Sequence, residues 1–142
     1  MRDGFVKVSA CTSEVRVADV AYNVRACLAE VRRACIDGGA KVIVLPELAL
    51  TGYTCEDLFW QDALLDEAES AIGTLAEKLS SFDALVFIGA PLRVNAKLYN
   101  CSIAFCAGKV IGIIPKRNIP NYNDFYEERH FSPGPLDPVL SN

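Results

Sequence analysis

Three segments in the first two-thirds of the chain have the apolar patterns of β-strands. Apolar and polar residues alternate over residues 5–11, which predicts a strand there. Residues 41–45 and 84–90 are short, continuous apolar runs. Runs of this kind are typical of strands that are buried on both faces, so we predict two such strands.

Two segments between these strands have the periodicity of amphipathic helices. Apolar positions between residues 20 and 35 fall on one helix face, Asp19 can cap the start, and the glycine pair at 38–39 can end the helix. Residues 61–81 carry a second apolar stripe. The order strand, helix, strand, helix, strand favours a parallel sheet with right-handed crossovers.

The pattern changes in the last third of the chain. Turn signals at residues 95–97 and 107–109 separate short apolar segments, which predicts two β-hairpins and makes the fold class α/β with a mixed sheet. Residues 117–142 contain four prolines and a charge cluster but no periodic element. Because so long an irregular stretch is unusual in a complete domain, it is either a functional loop held by downstream residues or a sign that the chain stops within its domain. We favour the second interpretation.

Two charged residues each follow a proline at the end of a predicted strand: Glu47 follows Pro46, and Lys116 follows Pro115. In α/β folds, ligands and catalytic groups gather at the carboxyl ends of strands. If the two side chains converge, their attraction of roughly 4 kcal/mol at about 4 Å is opposed by the cost of desolvating both charges. Position alone leaves two interpretations open, a catalytic pair or two charges that end their strands at the surface.

Longer strings around this pair are similar to the motifs of a known family. The string LPELALTGY at residues 45–53 resembles the first motif of the nitrilase superfamily, and TCEDLF at 54–59 resembles its NAD synthetase branch. The string PKRNIPNYNDFYE at 115–127, followed by ERHFSPG, resembles the glutaminase domain of the same enzymes. Two long motifs in the right order are far more specific than a single Pro-Glu pair.

The resemblance implies both a fold and a catalytic set. The fold is a four-layer α-β-β-α sandwich, of which residues 1–142 form the N-terminal part. The set is Glu-Lys-Cys, with Glu47 as general base and Lys116 as the second member. This matches the chemistry, because amide hydrolysis through a thiol needs a base for the thiol proton and positive charge beside the developing oxyanion.

Three further residues take their expected roles from the same resemblance. Glu127 matches a carboxylate that orients the lysine or the base, and Tyr53 and Tyr122 match tyrosines that line a glutamine pocket. The residues alone leave plainer roles open, a surface carboxylate for Glu127 and ordinary aromatic packing for the tyrosines. His130 is expected to be a surface or structural residue, and the aromatic pair at 59–60 to anchor the adjacent loop in the core.

None of the six cysteines fits the role of nucleophile. The family places its cysteine some tens of residues after the lysine, whereas Cys101 and Cys106 precede Lys116 within a strand, and Cys55 lies where the motif varies. We predict free, buried thiols and no metal site. We therefore expect the domain to be incomplete, and the isolated chain to be inactive and to associate through its unpaired sheet edges.

For the complete enzyme, the resemblance implies ammonia supply to a ligase. Glutamine would be hydrolysed through a thioester, and a separate C-terminal domain would use the ammonia with ATP and Mg²⁺ to amidate deamido-NAD. The chain itself has no Gly-x-x-x-x-Gly-Lys-Ser/Thr string, so this second step rests on the family alone. The alternatives are a stand-alone amidase or carbamoylase of the same superfamily, and a non-catalytic α/β module.

Composition and charge narrow the range of partners. The chain is 51% hydrophobic and 23% charged, which is typical of a globular domain, and its net charge is −4. Because it has no basic run, nucleic acid and anionic membranes are poor partners. No apolar run could span a bilayer, and residues 1–4 lack the core of a signal peptide. We predict a cytoplasmic protein that forms a homo-oligomer.

Overall fold

A five-stranded mixed sheet forms the centre of the computed structural model, which describes residues 4–135. The strands lie side by side in chain order as β1 (Val8–Ala10), β2 (Val42–Val44), β3 (Leu85–Val94), β4 (Lys97–Cys106) and β5 (Lys109–Pro115). The first three strands pair in parallel, and β3, β4 and β5 pair in antiparallel fashion. The predicted α/β fold with a mixed sheet is confirmed.

Two helices form the crossovers between the parallel strands, α1 (Val20–Arg32) and α2 (Asp62–Leu79). The Asp19 carboxylate accepts a hydrogen bond from the Tyr22 amide at 2.9 Å, which confirms the predicted cap. α1 ends before its predicted end, because the chain widens into a π turn at Arg33–Asp37, closed by a bond from the Gly38 amide. Neither helix is long and apolar enough to cross a membrane.

The helices cover one face of the sheet, and within residues 4–135 the other face is covered only in part, by the loop that follows β2. At its centre, the covered face contains the buried side chains of Ile43, Val86, Ile88, Ile103 and Phe105. On the opposite face, Val44 is 45% exposed and Ile114 of β5 is 51% exposed. The prediction of burial on both faces is therefore wrong for residues 41–45, whereas residues 84–90 contain no exposed residue. An apolar pattern does not say what covers it.

The strand edges and turns differ little from the prediction. β1 is shorter than residues 5–11, although backbone bonds from Lys41 to Lys7 and from Cys11 to Val44 continue the pairing by one residue at each end. The turn at Asn95 and Ala96 has positive φ at both positions, and so has the turn at residues 107–108. Two-residue turns of this kind match the twist of paired strands, so both predicted hairpins are confirmed.

The segment after β5 folds back onto the rest of the chain. It contains one short 3₁₀ turn, Glu127–Arg129. The Phe131 ring packs against Phe59 at 5.0 Å, and the Ser132 amide bonds to the Leu98 carbonyl at 2.8 Å. The prediction of a segment without structure is wrong up to residue 135, because long-range contacts to upstream residues fix it. Residues 136–142 lie outside the described residues.

Candidate active site

Glu47 lies on a loop that leaves the carboxyl end of β2 and crosses β3. The loop passes directly over Gly89, where a methyl group would lie 2.5 Å from the Pro46 carbonyl oxygen and 2.8 Å from the Glu47 carbonyl carbon. The Leu50 amide then bonds to the Gly89 carbonyl at 3.2 Å. The close approach therefore requires glycine at position 89 and fixes the backbone that carries Glu47.

Lys116 reaches Glu47 from the end of β5. Its backbone amide bonds to the carbonyl of Asn100 on β4 at 2.8 Å, and its Nζ lies 2.7 Å from Glu47 Oε1. Both side chains are partly exposed. The predicted convergence of the two charges is confirmed, and the alternative of two separate surface charges is excluded.

Glu127 joins the same cluster from the 3₁₀ turn. Its side chain is only 5% exposed, so it is not a surface carboxylate. Its two oxygens accept hydrogen bonds from Lys116 Nζ at 2.9 and 3.1 Å, and Tyr53 Oη donates to Oε1 at 2.7 Å. The ammonium therefore bridges two carboxylates, one partly exposed and one buried.

Two residues that sequence analysis did not identify complete the cluster. Asn100 donates from Nδ2 to Glu47 Oε1 at 2.5 Å, and Gly89 admits the loop described above. Each has a signal in the sequence: an isolated glycine within an apolar strand often marks a close backbone approach. Asn100 is likewise a polar residue within the otherwise largely apolar strand β4.

The electrostatics of the cluster keep Lys116 charged. Burial lowers the pKa of Lys116, but hydrogen bonds and attraction to Glu47 and Glu127 outweigh it, so the pKa lies above its ordinary value. Burial and the hydrogen bond to Glu127 raise the pKa of Tyr53. The tyrosine hydroxyl therefore stays protonated at neutral pH and remains a donor to Glu127.

The two tyrosines that were expected to line a glutamine pocket have different surroundings. Tyr53 lines a cavity of about 90 Å³ together with Glu127. Tyr122 is 63% exposed and packs against Phe125 with ring centres 5.7 Å apart. Within residues 4–135, Tyr53 bonds to the charged cluster and Tyr122 does not. A role in substrate binding stays a prediction for both.

All six cysteines lie in the described residues, and their thiols are free. Cys101 is buried on the helix-facing side of β4, where burial raises its pKa to about 12. Burial also raises the pKa of Cys55, whose thiol donates to the Thr51 carbonyl at 3.1 Å. Thiols in such surroundings stay protonated at neutral pH and are poor nucleophiles.

His130 lies in an aromatic cluster beside this site. Phe59 is buried as predicted, whereas Trp60 is 60% exposed, so the prediction of a core tryptophan is wrong. The indole lies at the surface, with its ring centre 5.4 Å from that of His130. Among the described residues, His130 Nδ1 has no hydrogen-bond partner. Burial lowers the pKa of this histidine, and the nearby Arg129 charge lowers it further.

Comparison of the sequence with known proteins identifies a matching family and several relatives. Residues 7–141 match the carbon–nitrogen hydrolase family. The chain is 41% identical over 131 residues to the glutamine-dependent NAD(+) synthetase of Mycobacterium tuberculosis, covering 92% of this chain and 19% of that protein. It is 33% identical to the enzyme of the same name from Xylella fastidiosa, covering 92% and 24%. The chain thus spans about a fifth to a quarter of the length of these relatives.

Solved structures agree with this relationship. The chain superposes on a glutamine-dependent NAD(+) synthetase from Cytophaga hutchinsonii with a TM-score of 0.88 and 28% identity, covering 96% of this chain and 23% of that one. An amidase of the nitrilase superfamily from Nesterenkonia gives a TM-score of 0.81 at 19% identity, covering 99% and 53%, which supports the fold alone. With the resemblance to glutamine-dependent NAD synthetases thus confirmed, the chain belongs to the carbon–nitrogen hydrolase family.

Proposed function

We propose that this chain is part of a domain that hydrolyses the side-chain amide of glutamine. The observation that carries the proposal is the 2.7 Å contact between Lys116 Nζ and Glu47 Oε1, in a chain 41% identical to a glutamine-dependent synthetase. In the complete enzyme, the released ammonia serves the ATP-dependent amidation of deamido-NAD to NAD. ATP and Mg²⁺ act there in another part of the polypeptide.

Glu47 is the general base of the proposed reaction. Both hydrogen bonds that it accepts from residues 4–135 fall on Oε1, so Oε2 is free to take a proton from a thiol. The sulfur then attacks the amide carbon, the carbon–nitrogen bond breaks, and Glu47 returns the proton to the departing ammonia. In the second half, Glu47 takes a proton from water as the oxygen attacks the thioester, and the thiol regains a proton as glutamate leaves.

Lys116 supplies the positive charge of the proposed reaction. A preorganised donor beside a developing oxyanion contributes about 3 kcal/mol to transition-state stabilisation. Lys116 is held by Glu47 and Glu127 together, so it is positioned before substrate arrives. Glu127 thereby supports the lysine without contacting the reacting atoms.

The nucleophilic thiol of this proposal comes from outside the 142 residues. Cys55 and Cys101 are buried in protonated form, and within residues 4–135 neither bonds to Glu47 or Lys116. We therefore propose that the chain forms part of a carbon–nitrogen hydrolase domain. We also propose that, tested alone, it releases no ammonia from glutamine.

A hybrid synthetase tests the proposal. In this hybrid, residues 1–142 replace the matching segment of the Mycobacterium tuberculosis enzyme, and NAD formation is measured with glutamine or with free ammonia. We expect the hybrid to use both nitrogen sources, and Glu47→Gln to lower the glutamine-driven rate by at least about 100-fold while sparing the ammonia-driven rate. Glu128→Gln, at an exposed carboxylate that accepts from Asn121, is the matched control.

Two outcomes would contradict the proposal. A hybrid that makes NAD from ammonia but not from glutamine would show that this segment cannot complete a glutaminase site. Retention of the glutamine-driven rate in Glu47→Gln would show that this carboxylate is not the base. The ammonia-driven rate serves in both cases as the control for folding.

A further inference from the structure

We infer that Asn100 is a positioning residue, which holds the Glu47 carboxylate in the orientation that the reaction requires. The inference rests on the proposed function and adds a residue to it. Asn100 Nδ2 lies 2.5 Å from Glu47 Oε1, and the residue is only 3% exposed. A buried amide that meets a carboxylate presents its NH₂ group, because the amide oxygen would repel the charge.

The sheet brings Asn100 to both members of the charged pair. It lies in β4, opposite Pro91 of β3, and its carbonyl accepts the Lys116 amide at 2.8 Å. Its neighbour Cys101 is buried on the helix-facing side, so the Asn100 side chain lies on the other side of the sheet. That is the side on which the Glu47 loop crosses Gly89. A single residue therefore fixes the backbone of Lys116 and the carboxylate of Glu47.

The two donors on Oε1 determine which oxygen of Glu47 acts as the base. Lys116 alone would hold the Glu47 carboxylate less firmly than the two donors together, because its ammonium is shared with Glu127. With Asn100 in place, Oε1 is bonded twice, and Oε2 accepts no hydrogen bond from residues 4–135. Loss of the amide donor leaves Glu47 free to rotate about its terminal bond, which lowers the fraction of base in the reactive orientation.

Two substitutions of Asn100 in the hybrid synthetase test the inference. Asn100→Leu removes the amide, and Asn100→Asp keeps its shape but replaces the donor with a carboxylate. We expect kcat with glutamine to fall about 100-fold in both at neutral pH, as for a misplaced catalytic group, with little change in KM or in the ammonia-driven rate. Asn121→Asp, which removes the 2.8 Å bond to exposed Glu128, is the matched control and should leave kcat unchanged.

The pH dependence separates positioning from a purely structural role. Two carboxylates in contact share a proton, and a protonated carboxyl group at position 100 is again a donor to Glu47. We therefore expect the activity of Asn100→Asp relative to Asn100→Leu to rise as the pH is lowered. A merely structural role predicts no such recovery.

The outcomes distinguish the inference from the proposed function. If Glu47→Gln abolishes glutamine use while Asn100→Asp keeps the wild-type kcat, the inference fails and the proposed function stands. If Glu47→Gln retains glutamine use, both fail. If Asn100→Leu loses the ammonia-driven rate through misfolding, Asn100→Asp and its pH profile decide whether Asn100 positions Glu47.

Discussion

The buried carboxylate of Glu127 lies 2.9 Å from the ammonium of Lys116. Each compensates the charge of the other in a site where an isolated charge would be costly. We predict that Glu127→Gln lowers the glutamine-driven kcat of the hybrid synthetase by about tenfold or more, because a charge-assisted bond contributes about 1.5–3 kcal/mol. Glu128→Gln, one residue along the chain, should have no effect, and equal losses in the two variants would contradict a specific role for Glu127.

The close approach at Gly89 predicts a steric effect on the site. In Gly89→Ala the new methyl group would meet the backbone of residues 46–48, which cannot move without displacing Glu47. We expect a destabilisation of about 1–3 kcal/mol, as for overpacking, together with loss of glutamine-driven activity. The measurements are the thermal midpoint and the two NAD-forming rates of the hybrid.

Gly73→Ala is the control for that substitution. Gly73 is exposed on α2, and a methyl group there meets nothing within 4 Å. Because alanine favours a helix over glycine, we expect a gain of about 0.5–1 kcal/mol and unchanged rates. A Gly89→Ala variant that behaved like Gly73→Ala would show that the loop is not fixed by this contact.

Sequence alone predicted the parts of this structure that depend on local pattern. The order of strands and helices along the chain, the Asp19 cap and both hairpin turns follow from periodicity and turn chemistry, and each is confirmed. The strand ends alone left the convergence of Glu47 and Lys116 open, and the resemblance to the family motifs decided in its favour. Local pattern succeeds for the strands, helices, cap and turns because residues close in sequence decide these features.

The parts that sequence reasoning missed depend on distant residues. The contact of Glu127 with Lys116 was expected from the family resemblance alone, and its bond to Tyr53, 74 positions away, was not expected, because no periodicity reveals such bonds. The burial of β2 was overestimated because an apolar strand face gives no information on whether another layer covers it. Asn100 and Gly89 were visible as exceptions in apolar strands, but only the crossing of the Glu47 loop gives them a role.

The surroundings of the two tyrosines predict different kinetic effects. Tyr53→Phe removes the hydroxyl that donates to Glu127 at 2.7 Å, so we expect kcat with glutamine to fall by about fivefold to tenfold, the equivalent of roughly 1 kcal/mol. Tyr122→Ala removes an exposed ring that lies outside the charged cluster. If it lines the glutamine pocket, KM should rise with kcat unchanged, and an unaltered KM would exclude that role.

His130 gives the hybrid a pH-dependent stability. Its pKa is lowered in the folded state, so the unfolded chain binds a proton more readily. The contribution of the neutral ring to stability is complete above the ordinary pKa of 6.5 and is lost as the pH falls from there toward the lowered value. We expect His130→Phe, which suits the aromatic cluster, to make the thermal midpoint of the hybrid less dependent on pH below 6.5. An equally steep decline in both proteins would contradict this account.

The most direct test of the catalytic pair is a double-mutant cycle on Glu47 and Lys116. Glu47→Gln, Lys116→Met and the double variant are compared in the hybrid synthetase, with the glutamine-driven rate divided by the ammonia-driven rate. Residues that act as one unit are strongly non-additive, so each single variant should lose at least about 100-fold and the double variant scarcely more. A single variant that kept most of its glutamine-driven rate, or losses that simply multiplied, would contradict a joint catalytic role for the two residues.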